Sequence, residues 1–279
     1  METMTLSLSC VLSCAAFLAS CLYLFKRTPQ AIGVWKTLLA ASVGIHLIGF
    51  ILRTADFWAL SPVDRFFLPV NTFFGALSFL ALVTNLFCLK LAHKHNISVL
   101  GVFVLPISLA AQAAALAFFA ATIQPLDEKM HSALNIIHPL ILMSTYGTLA
   151  NAFAVAGAFL IQDWQIKSRR PGEFCWQIPS LEVLDRLNSR LMLIAVPLLA
   201  LGILLGSLWA RGAWGRLWGW DAKEIASLVT LLIYTSNITM RWAFGWRGRW
   251  SALMNLLGFA SILLTFFVAD LASKVHDYL

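Results

Sequence analysis

Charged residues are scarce in this sequence. Asp, Glu, Lys and Arg make up 12% of its 279 residues, whereas hydrophobic residues make up 60%. A soluble domain of comparable length carries about twice that charged fraction, so the composition excludes a large water-soluble domain. The net charge of +7 does not indicate nucleic acid binding, because excess Lys and Arg is typical of the cytoplasmic loops of membrane proteins. We therefore expect membrane lipid around the chain and no nucleic acid partner.

Cysteine pairs with the spacing of a redox or zinc site are also absent. The five cysteines are Cys10, Cys14, Cys21, Cys88 and Cys175, and no two of them form a CxxC pair. We interpret them as small buried hydrophobic residues. The first apolar segment has almost no basic region before it and no clear cleavage site, so we expect a retained helix rather than a signal peptide.

Long apolar runs dominate the sequence instead. A run of about 20 apolar residues is long enough to cross a bilayer as a helix, and the runs show no strand-like alternation of a membrane barrel. We therefore predict an all-α polytopic membrane bundle that forms a single domain over residues 1–279. Its eight predicted spans are roughly 5–25, 37–52, 67–89, 98–121, 136–161, 190–210, 223–240 and 251–270.

The basic residues predict the orientation of the bundle. If the N-terminus lies outside, most of the 20 Lys and Arg residues fall in inner loops, so the positive-inside rule places both termini outside. The loop between the sixth and seventh spans then lies outside as well. The longest inner connection, about 163–189, is expected to be a connector with a short helix near "SLEVLDRLNSR".

The segment "LWARGAWGRLWGWDAKEIASL", residues 208–228, gathers tryptophans beside a small charge cluster. Its tryptophans are Trp209, Trp214, Trp218 and Trp220. If the segment is helical, Trp214, Trp218 and Asp221 share one face, which would form an apolar shelf with an ionic edge for a planar amphiphilic ligand. An interfacial aromatic belt explains the same residues, and spacing alone leaves both interpretations open.

Asp221 and Glu224 have a second interpretation as a helix start. The sequence "DAKE" places an acid at the expected N-cap of the seventh span and Glu224 three residues later, which is the spacing of a capping box. This role does not exclude a functional one.

The histidines supply candidate metal ligands. They are His46, His93, His95, His131, His138 and His276. His93 and His95 lie in a basic inner loop and are expected to be solvated. His46 lies inside the second span, where an ionisable residue is a functional candidate, although a histidine bonded to a neighbouring helix is an equal alternative. His138 and His276 fall on the predicted outer side and could be axial ligands of a haem iron, or polar residues of helix ends.

The segment "WGRLWGWDAKE" resembles the tryptophan-rich WWD motif of the haem-handling CcsA/ResC and CcmC family of cytochrome c biogenesis. The matching positions are Trp214, Gly215, Trp218, Trp220, Asp221 and Glu224. The stretches "HLIGFILR", "LNIIHPLILMSTYGTLA" and "LDRLNSRLMLIAVPLLALGILLGSLWA" also look like spans of this family. The length, the eight spans and the two outer histidines fit the CcsA branch better than the CcmC branch, which has six spans.

The resemblance implies a haem-handling function in the bacterial inner membrane. It implies that the WWD segment, residues 209–224, forms a haem platform on the outer side and that His138 and His276 ligate the iron. It further implies that non-covalently bound haem b is presented to the CxxCH site of an apocytochrome c, with a CcsB/ResB-like membrane protein as partner. Whether the chain also catalyses attachment, as half of a cytochrome c synthase, stays open. Charge placement adds Arg211, Arg216 and Lys223 as candidate contacts of the haem propionates.

Three positions depart from the family pattern. Ala222 follows Asp221 where Pro is usual, Leu217 precedes Trp218 where an aromatic is common, and Thr239 stands where many members have histidine. His46 is then the remaining deep candidate for an inner haem site. Thr239 motivates an alternative function, a HemX-like accessory of haem synthesis or respiratory assembly that attaches no haem. A small-solute transporter would need broken helices in related halves, which the sequence lacks.

Overall fold

The computed structural model of the protein describes residues 2–26, 29–60, 68–70, 72–94, 100–118, 121, 132–169 and 177–268. Over these residues the chain forms eight α-helices and no strand, which confirms the predicted all-α class. The helices are α1 Glu2–Lys26, α2 Pro29–Leu60, α3 Phe73–Lys94, α4 Leu100–Phe118, α5 Ala133–Lys167, α6 Leu181–Trp214, α7 Ala222–Ala243 and α8 Arg249–Leu263. A short π-helical turn, Leu264–Val268, continues α8.

The helices extend beyond most of the predicted spans. The stretch "SLEVLDRLNSR" is helical, as expected, but it forms the first turns of α6 and is not part of the connection. Ser180 is the N-cap of α6, and its side chain accepts a hydrogen bond from the backbone N–H of Val183 at 3.4 Å. The connection between α5 and α6 is therefore shorter than the predicted 163–189.

Seven of the described helices are long and apolar enough, by length and composition, to cross a membrane. Helix α7 is the exception, although it was predicted as a span. Its polar residues Thr230, Tyr234 and Asn237 are buried, so they face other helices and lower the apolar content of α7 without contacting lipid. The protein is an integral membrane protein, and its sidedness stays a prediction.

The described helices belong to two compact units, the first with α1 to α4 and the second with α5 to α8. A buried cluster of polar side chains joins the helices of the first unit. Ser42 of α2 lies 2.9 Å from Ser9 and 2.8 Å from Ser13 of α1, and Gln112 of α4 donates to Ser13 at 3.4 Å. Interhelical hydrogen bonds of this kind stabilise membrane bundles by about 0.6–2 kcal/mol each.

An ion pair fixes one end of the first unit. Arg53, in the "HLIGFILR" stretch, is buried and forms a salt bridge with Glu2. Its guanidinium also donates to Thr72 at 3.4 Å and lies 5.1 Å from the ring centroid of Phe74. Because an unpaired charge is costly at membrane depth, these contacts connect α1, α2 and the start of α3.

Close backbone approach and polar side chains hold the second unit together. A methyl group on Gly202 of α6 would lie 2.5 Å from Leu142 of α5, and one on Gly258 of α8 would lie 2.6 Å from the Tyr234 ring. Small residues at such contacts let membrane helices pack tightly. Asn255 of α8 donates to Asn188 of α6 at 2.5 Å.

A bidentate ion pair joins α6 to α7 in the same unit. Arg241 donates to both carboxylate oxygens of Asp185, at 2.9 and 2.6 Å. The backbone N–H of Gly248 also donates to Asp185 at 2.9 Å. One carboxylate therefore joins α6, the end of α7 and the turn before α8.

The cysteines are only partly as expected. Cys88 is fully buried, as predicted, whereas Cys14 lies on the exposed face of α1. Cys10 and Cys21 are half-buried, and Cys175 lies outside the described residues.

Candidate functional site

The WWD segment, residues 209–224, is a helix end, a loop and a helix start. Helix α6 ends at Trp214, and Gly215 takes the left-handed conformation with φ 72°. Its N–H donates to the carbonyl of Arg211 at 3.0 Å, as in a typical glycine C-cap. The face that Trp214, Trp218 and Asp221 would share in a helical segment therefore does not form, because residues 215–221 are not helical.

A capping box closes this loop on α7, as the spacing of Asp221 and Glu224 predicted. The Glu224 carboxylate accepts hydrogen bonds from the backbone N–H of Asp221 at 3.3 Å and of Gly219 at 2.7 Å. The contact with Gly219 reaches beyond the capping box and was not predicted. Glu224 therefore fixes the loop as well as the helix start.

The tryptophans of the segment form two edge-to-face pairs. Trp209 and Trp214 have ring centroids 4.9 Å apart at an interplanar angle of 74°. Trp218 and Trp220 have centroids 6.1 Å apart at 84°. Such pairs add about 0.5–1.5 kcal/mol to the burial of the rings, so the aromatic surface is ordered.

Trp220 has a strained backbone and an exposed side chain. Its φ is 57°, in the left-handed region that bulky residues avoid, and its side chain is 71% exposed. This conformation costs about 1–3 kcal/mol and is commonest at functional sites. The backbone strain at Trp220 therefore lowers the stability of the fold, and the indole that it positions is exposed.

Two indole N–H groups of the segment are buried without an acceptor. Among the residues that the structure describes, Nε1 of Trp209 and Nε1 of Trp218 have no hydrogen-bond partner. Buried donors of this kind are uncommon in folded proteins. Each could donate to a bound acceptor.

His138 lies on α5 in a notch formed by two glycines of α6. Its Nδ1 lies 2.8 Å from the carbonyl oxygen of Gly202. Because a carbonyl can only accept, Nδ1 carries the proton and the lone pair is on Nε2, the arrangement of a metal-binding histidine. A methyl group on Gly206 would lie 2.6 Å from Cε1 of His138, so only glycine leaves room for the ring.

The notch lies close to the beginning of the WWD segment. Gly206 and Trp209 are three residues apart on α6, which is about 4.5 Å along the helix axis. The structure therefore brings His138 to the same end of the second unit as the tryptophans. Among the described residues, no group of three His, Cys, Asp or Glu side chains is placed to hold a metal ion.

The candidate propionate contacts lie in or beside the loop. Arg211 and Arg216 are exposed, and Lys223 is half-buried. The Arg216 guanidinium lies against Gly219, in space that a side chain there would fill. Their contact with propionates stays a prediction.

Of the other five histidines, the structure describes His46 and His93, and these two differ in burial. His46 is 2% exposed, and its Nε2 lies 2.9 Å from the Ser78 hydroxyl of α3, so its contacts are those of a histidine bonded to a neighbouring helix. Its role in an inner haem site stays a prediction. His93 is exposed, as predicted, but it lies in the last turn of α3 and not in a loop. His95, His131 and His276 lie outside the described residues, so the second predicted iron ligand has no described position.

Two features of this unit were not predicted from the sequence. The first is the notch around His138, for which the spacing of Gly202 and Gly206 in "LGILLG" was an available signal. The second is another aromatic cluster at the opposite end of α7, in "RWAFGWRGRW". Its exposed aromatic residues are Trp242, Phe244, Trp246 and Trp250.

The sequence matches known proteins over most of its length. The family model described as "Cytochrome C assembly protein" matches residues 70–276. The cytochrome c biogenesis protein CcsA of Mesostigma viride is 27% identical over 264 residues, which cover 86% of this chain and 86% of that protein. CcsA of Guillardia theta is 28% identical over 276 residues, which cover 91% of this chain and 88% of that protein. CcsA of Gloeobacter violaceus is 41% identical over 98 residues, which cover 35% and 29%.

A solved structure shares the fold. The cytochrome c heme lyase CcmF matches with a TM-score of 0.72 and 19% sequence identity, over 96% of this chain and 46% of the CcmF chain. This chain thus spans less than half of the CcmF chain, and the likeness concerns the fold. Because the family match extends from α3 through His138 and the WWD segment to His276, the chain belongs to the cytochrome c assembly protein family and is an integral membrane protein of cytochrome c biogenesis.

Proposed function

We propose that this protein binds haem beside the WWD segment and presents it to an apocytochrome c. The observation that carries the proposal is His138, whose Nδ1 donates to the Gly202 carbonyl near the start of that segment. This hydrogen bond leaves the lone pair on Nε2, as coordination of haem iron requires.

The residues of the WWD segment fit the other parts of haem. The paired tryptophans offer apolar surface for the macrocycle, and the strained, exposed Trp220 extends it. The buried Nε1 groups of Trp209 and Trp218 can donate to carboxylate oxygens. Arg211 and Arg216 add exposed positive charge for the two propionates.

The second axial ligand in this proposal is His276. It is the other histidine that the predicted topology and the family resemblance place on the outer side. Two imidazoles give a six-coordinate iron, and non-covalent haem b is the form expected before attachment. His46 is proposed only for a separate inner haem site, since its ring is buried in the first unit.

The proposed role of the protein in attachment is positioning. The apocytochrome supplies the cysteine thiols of its CxxCH site, and holding haem in a fixed orientation raises the rate at which the thiols react. The proposed partner is a CcsB/ResB-like membrane protein, and the proposed location is the bacterial inner membrane, with the WWD segment and both termini on the outer side. The relatives named above as cytochrome c biogenesis proteins support this role.

A HemX-like accessory function is the second candidate. It is favoured by Thr239, which lies on an exposed face of α7 at the position where the family resemblance leads one to expect histidine. Such a protein would handle haem without attaching it. Deleting the gene separates the two functions, because covalent c-type cytochromes would be lost under the first and kept under the second.

The direct test is the absorption spectrum of the detergent-purified protein, oxidised and then reduced. We expect a low-spin haem spectrum that His138→Ala and His276→Ala each alter. His93→Ala is the matched control, since His93 is exposed at the far end of α3. A double His138→Ala/His276→Ala variant with an unchanged spectrum would refute the ligand assignment, and a protein that takes up no added haem would refute the proposal.

A further inference from the structure

A short hairpin, residues 241–250, joins the end of α7 to the start of α8. Gly245 and Gly248 have φ values of 67° and 63°, which let the chain reverse within a few residues. The Gly248 N–H donates to Asp185 of α6, and a methyl group on Gly248 would lie 3.0 Å from Phe159 of α5. The hairpin is therefore fixed against α5 and α6.

The hairpin exposes large aromatic side chains. Trp242 is 75% exposed and Phe244 is 70% exposed, and Trp246 and Trp250 are exposed beside them. The rings of Trp246 and Trp250 have centroids 5.7 Å apart. Exposed aromatic residues at the end of a membrane bundle are typical of the layer where lipid headgroups meet the acyl chains.

The same hairpin carries positive charge that its own segment does not neutralise. Arg247 and Arg249 are exposed between the aromatic residues. The sequence contains no Asp or Glu from residue 225 to residue 269. The nearby carboxylate of Asp185 already accepts two hydrogen bonds from Arg241 and one from Gly248.

The end of α5 extends this surface. Phe159 contacts the hairpin at Gly248, and α5 continues from there to Trp164, whose side chain is exposed. Arg169 follows just beyond the helix and is exposed as well. Aromatic rings and guanidinium groups therefore occur together on two neighbouring elements of the second unit.

We propose that the hairpin, residues 241–250, is a docking surface for the phosphate headgroups of anionic phospholipids. Guanidinium groups donate in pairs to phosphate oxygens, and indole rings occupy the adjoining interfacial layer. The net positive charge favours anionic over zwitterionic lipid. The proposal does not depend on haem binding, because the hairpin and the WWD segment lie at opposite ends of α7.

The test measures phosphatidylglycerol and phosphatidylcholine binding to the purified full chain by native mass spectrometry. One variant is Arg247→Gln/Arg249→Gln, and a second is Trp246→Leu/Trp250→Leu. The matched control is Lys36→Gln/Lys90→Gln, which also removes two positive charges, but from α2 and α3 of the first unit. Gel filtration identifies folded protein before each titration.

We expect the unmodified chain to prefer phosphatidylglycerol and the arginine variant to bind it about 25-fold more weakly, at about fivefold for each of the two basic residues near an anionic surface. The lysine control should retain most of the preference. An equal loss in the control would overturn the proposal, because diffuse positive charge would then explain the binding. Unchanged affinity in the arginine variant, or capture of a co-purifying protein by the hairpin in place of lipid, would overturn it as well.

Discussion

Tryptophans cluster at both ends of α7, and the two clusters differ in what holds the indole rings. In the WWD segment the rings pair edge to face above a loop that Glu224 closes, and two indole N–H groups are buried. In the hairpin of residues 241–250 the rings are exposed around arginines on a turn that Asp185 holds. A carboxylate organises the backbone at each end, while only the WWD segment contains a strained tryptophan. The first arrangement suits a shaped ligand, and the second suits an extended interface.

The carboxylate of the hairpin end should matter most for stability. Asp185→Ala leaves Arg241 and the Gly248 N–H without their acceptor, and removing one partner of a buried pair costs about 3–5 kcal/mol. We expect about 3 kcal/mol here, since both side chains keep some exposure. Unfolding in mixed SDS micelles measures the loss, with Glu182→Ala, which breaks the exposed pair with Arg186, as control. A loss no larger than in the control would show that Asp185 does not hold α6, α7 and the turn before α8 together.

The carboxylate of the WWD end comes next. Glu224→Ala removes the acceptor of the Asp221 and Gly219 N–H groups, and loss of a helix cap costs about 0.5–2 kcal/mol. Haem affinity should fall at least as strongly, because the loop that carries Trp218 and Trp220 loses its closure. Glu224→Gln keeps an acceptor oxygen and should recover most of both quantities. Equal defects in Gln and Ala would show that charge, not loop closure, is the role of Glu224.

The glycine notch of α6 should determine how the His138 ring is placed for iron ligation. Gly206→Ala should push the His138 ring away and weaken haem binding about tenfold, which is about 1.4 kcal/mol. Gly157→Ala of α5 is the control, because a methyl group there meets no atom within 4 Å and Gly157 lies outside the WWD segment. Electron paramagnetic resonance of the oxidised protein reads the iron ligation directly. A spectrum shared by both glycine variants would mean that the notch does not orient His138.

The smallest effect should come from releasing the strain at Trp220. Trp220→Asn places a residue that tolerates the left-handed conformation at φ 57°, so stability should rise by about 1 kcal/mol while haem affinity falls. Trp220→Gly should likewise raise the stability and lower the haem affinity. Thermal unfolding of the apo protein and haem titration measure the two quantities. A variant that gains both stability and affinity would exclude a role for the strained conformation in binding.

The sequence predicts those features of the fold that depend on neighbouring residues, and it misses those that depend on contacts between residues far apart in the chain. Apolar runs and the "DAKE" spacing are local signals, so the helices and the capping box of α7 were predicted. The loop between α6 and α7 was predicted too, but its start at Gly215 was not, because residues 214–221 contain no proline and glycine alone is tolerated in helices. The partner of Nδ1 of His138 lies on another helix, 64 positions away in the chain, and no local pattern identifies it.

The tertiary role of single glycines also escaped prediction. Gly202 and Gly206 have the spacing of a close helix contact, but spacing does not say which side chain enters the contact. Only packing shows that Leu142 and His138 of α5 fill these two positions. The sequence suggested His138 as an iron ligand. It could not show which ring nitrogen carries the proton, because that depends on the contact with the Gly202 carbonyl.

The buried polar stripe of α7 has a consequence for how the chain enters the membrane. Thr230 lies 2.6 Å from the Ser261 hydroxyl, Tyr234 donates to Asn255 at 3.4 Å, and Asn237 donates to the Ser251 carbonyl at 2.9 Å, so each of the three has a partner on α8. During synthesis α7 leaves the ribosome first, and alone in lipid the Tyr234 hydroxyl and the Asn237 amide would lack these partners, whereas Thr230 keeps its bond to the Ala226 carbonyl of α7. We expect α7 to wait at the translocon until α8 has been made, so that the two helices insert together as one hairpin.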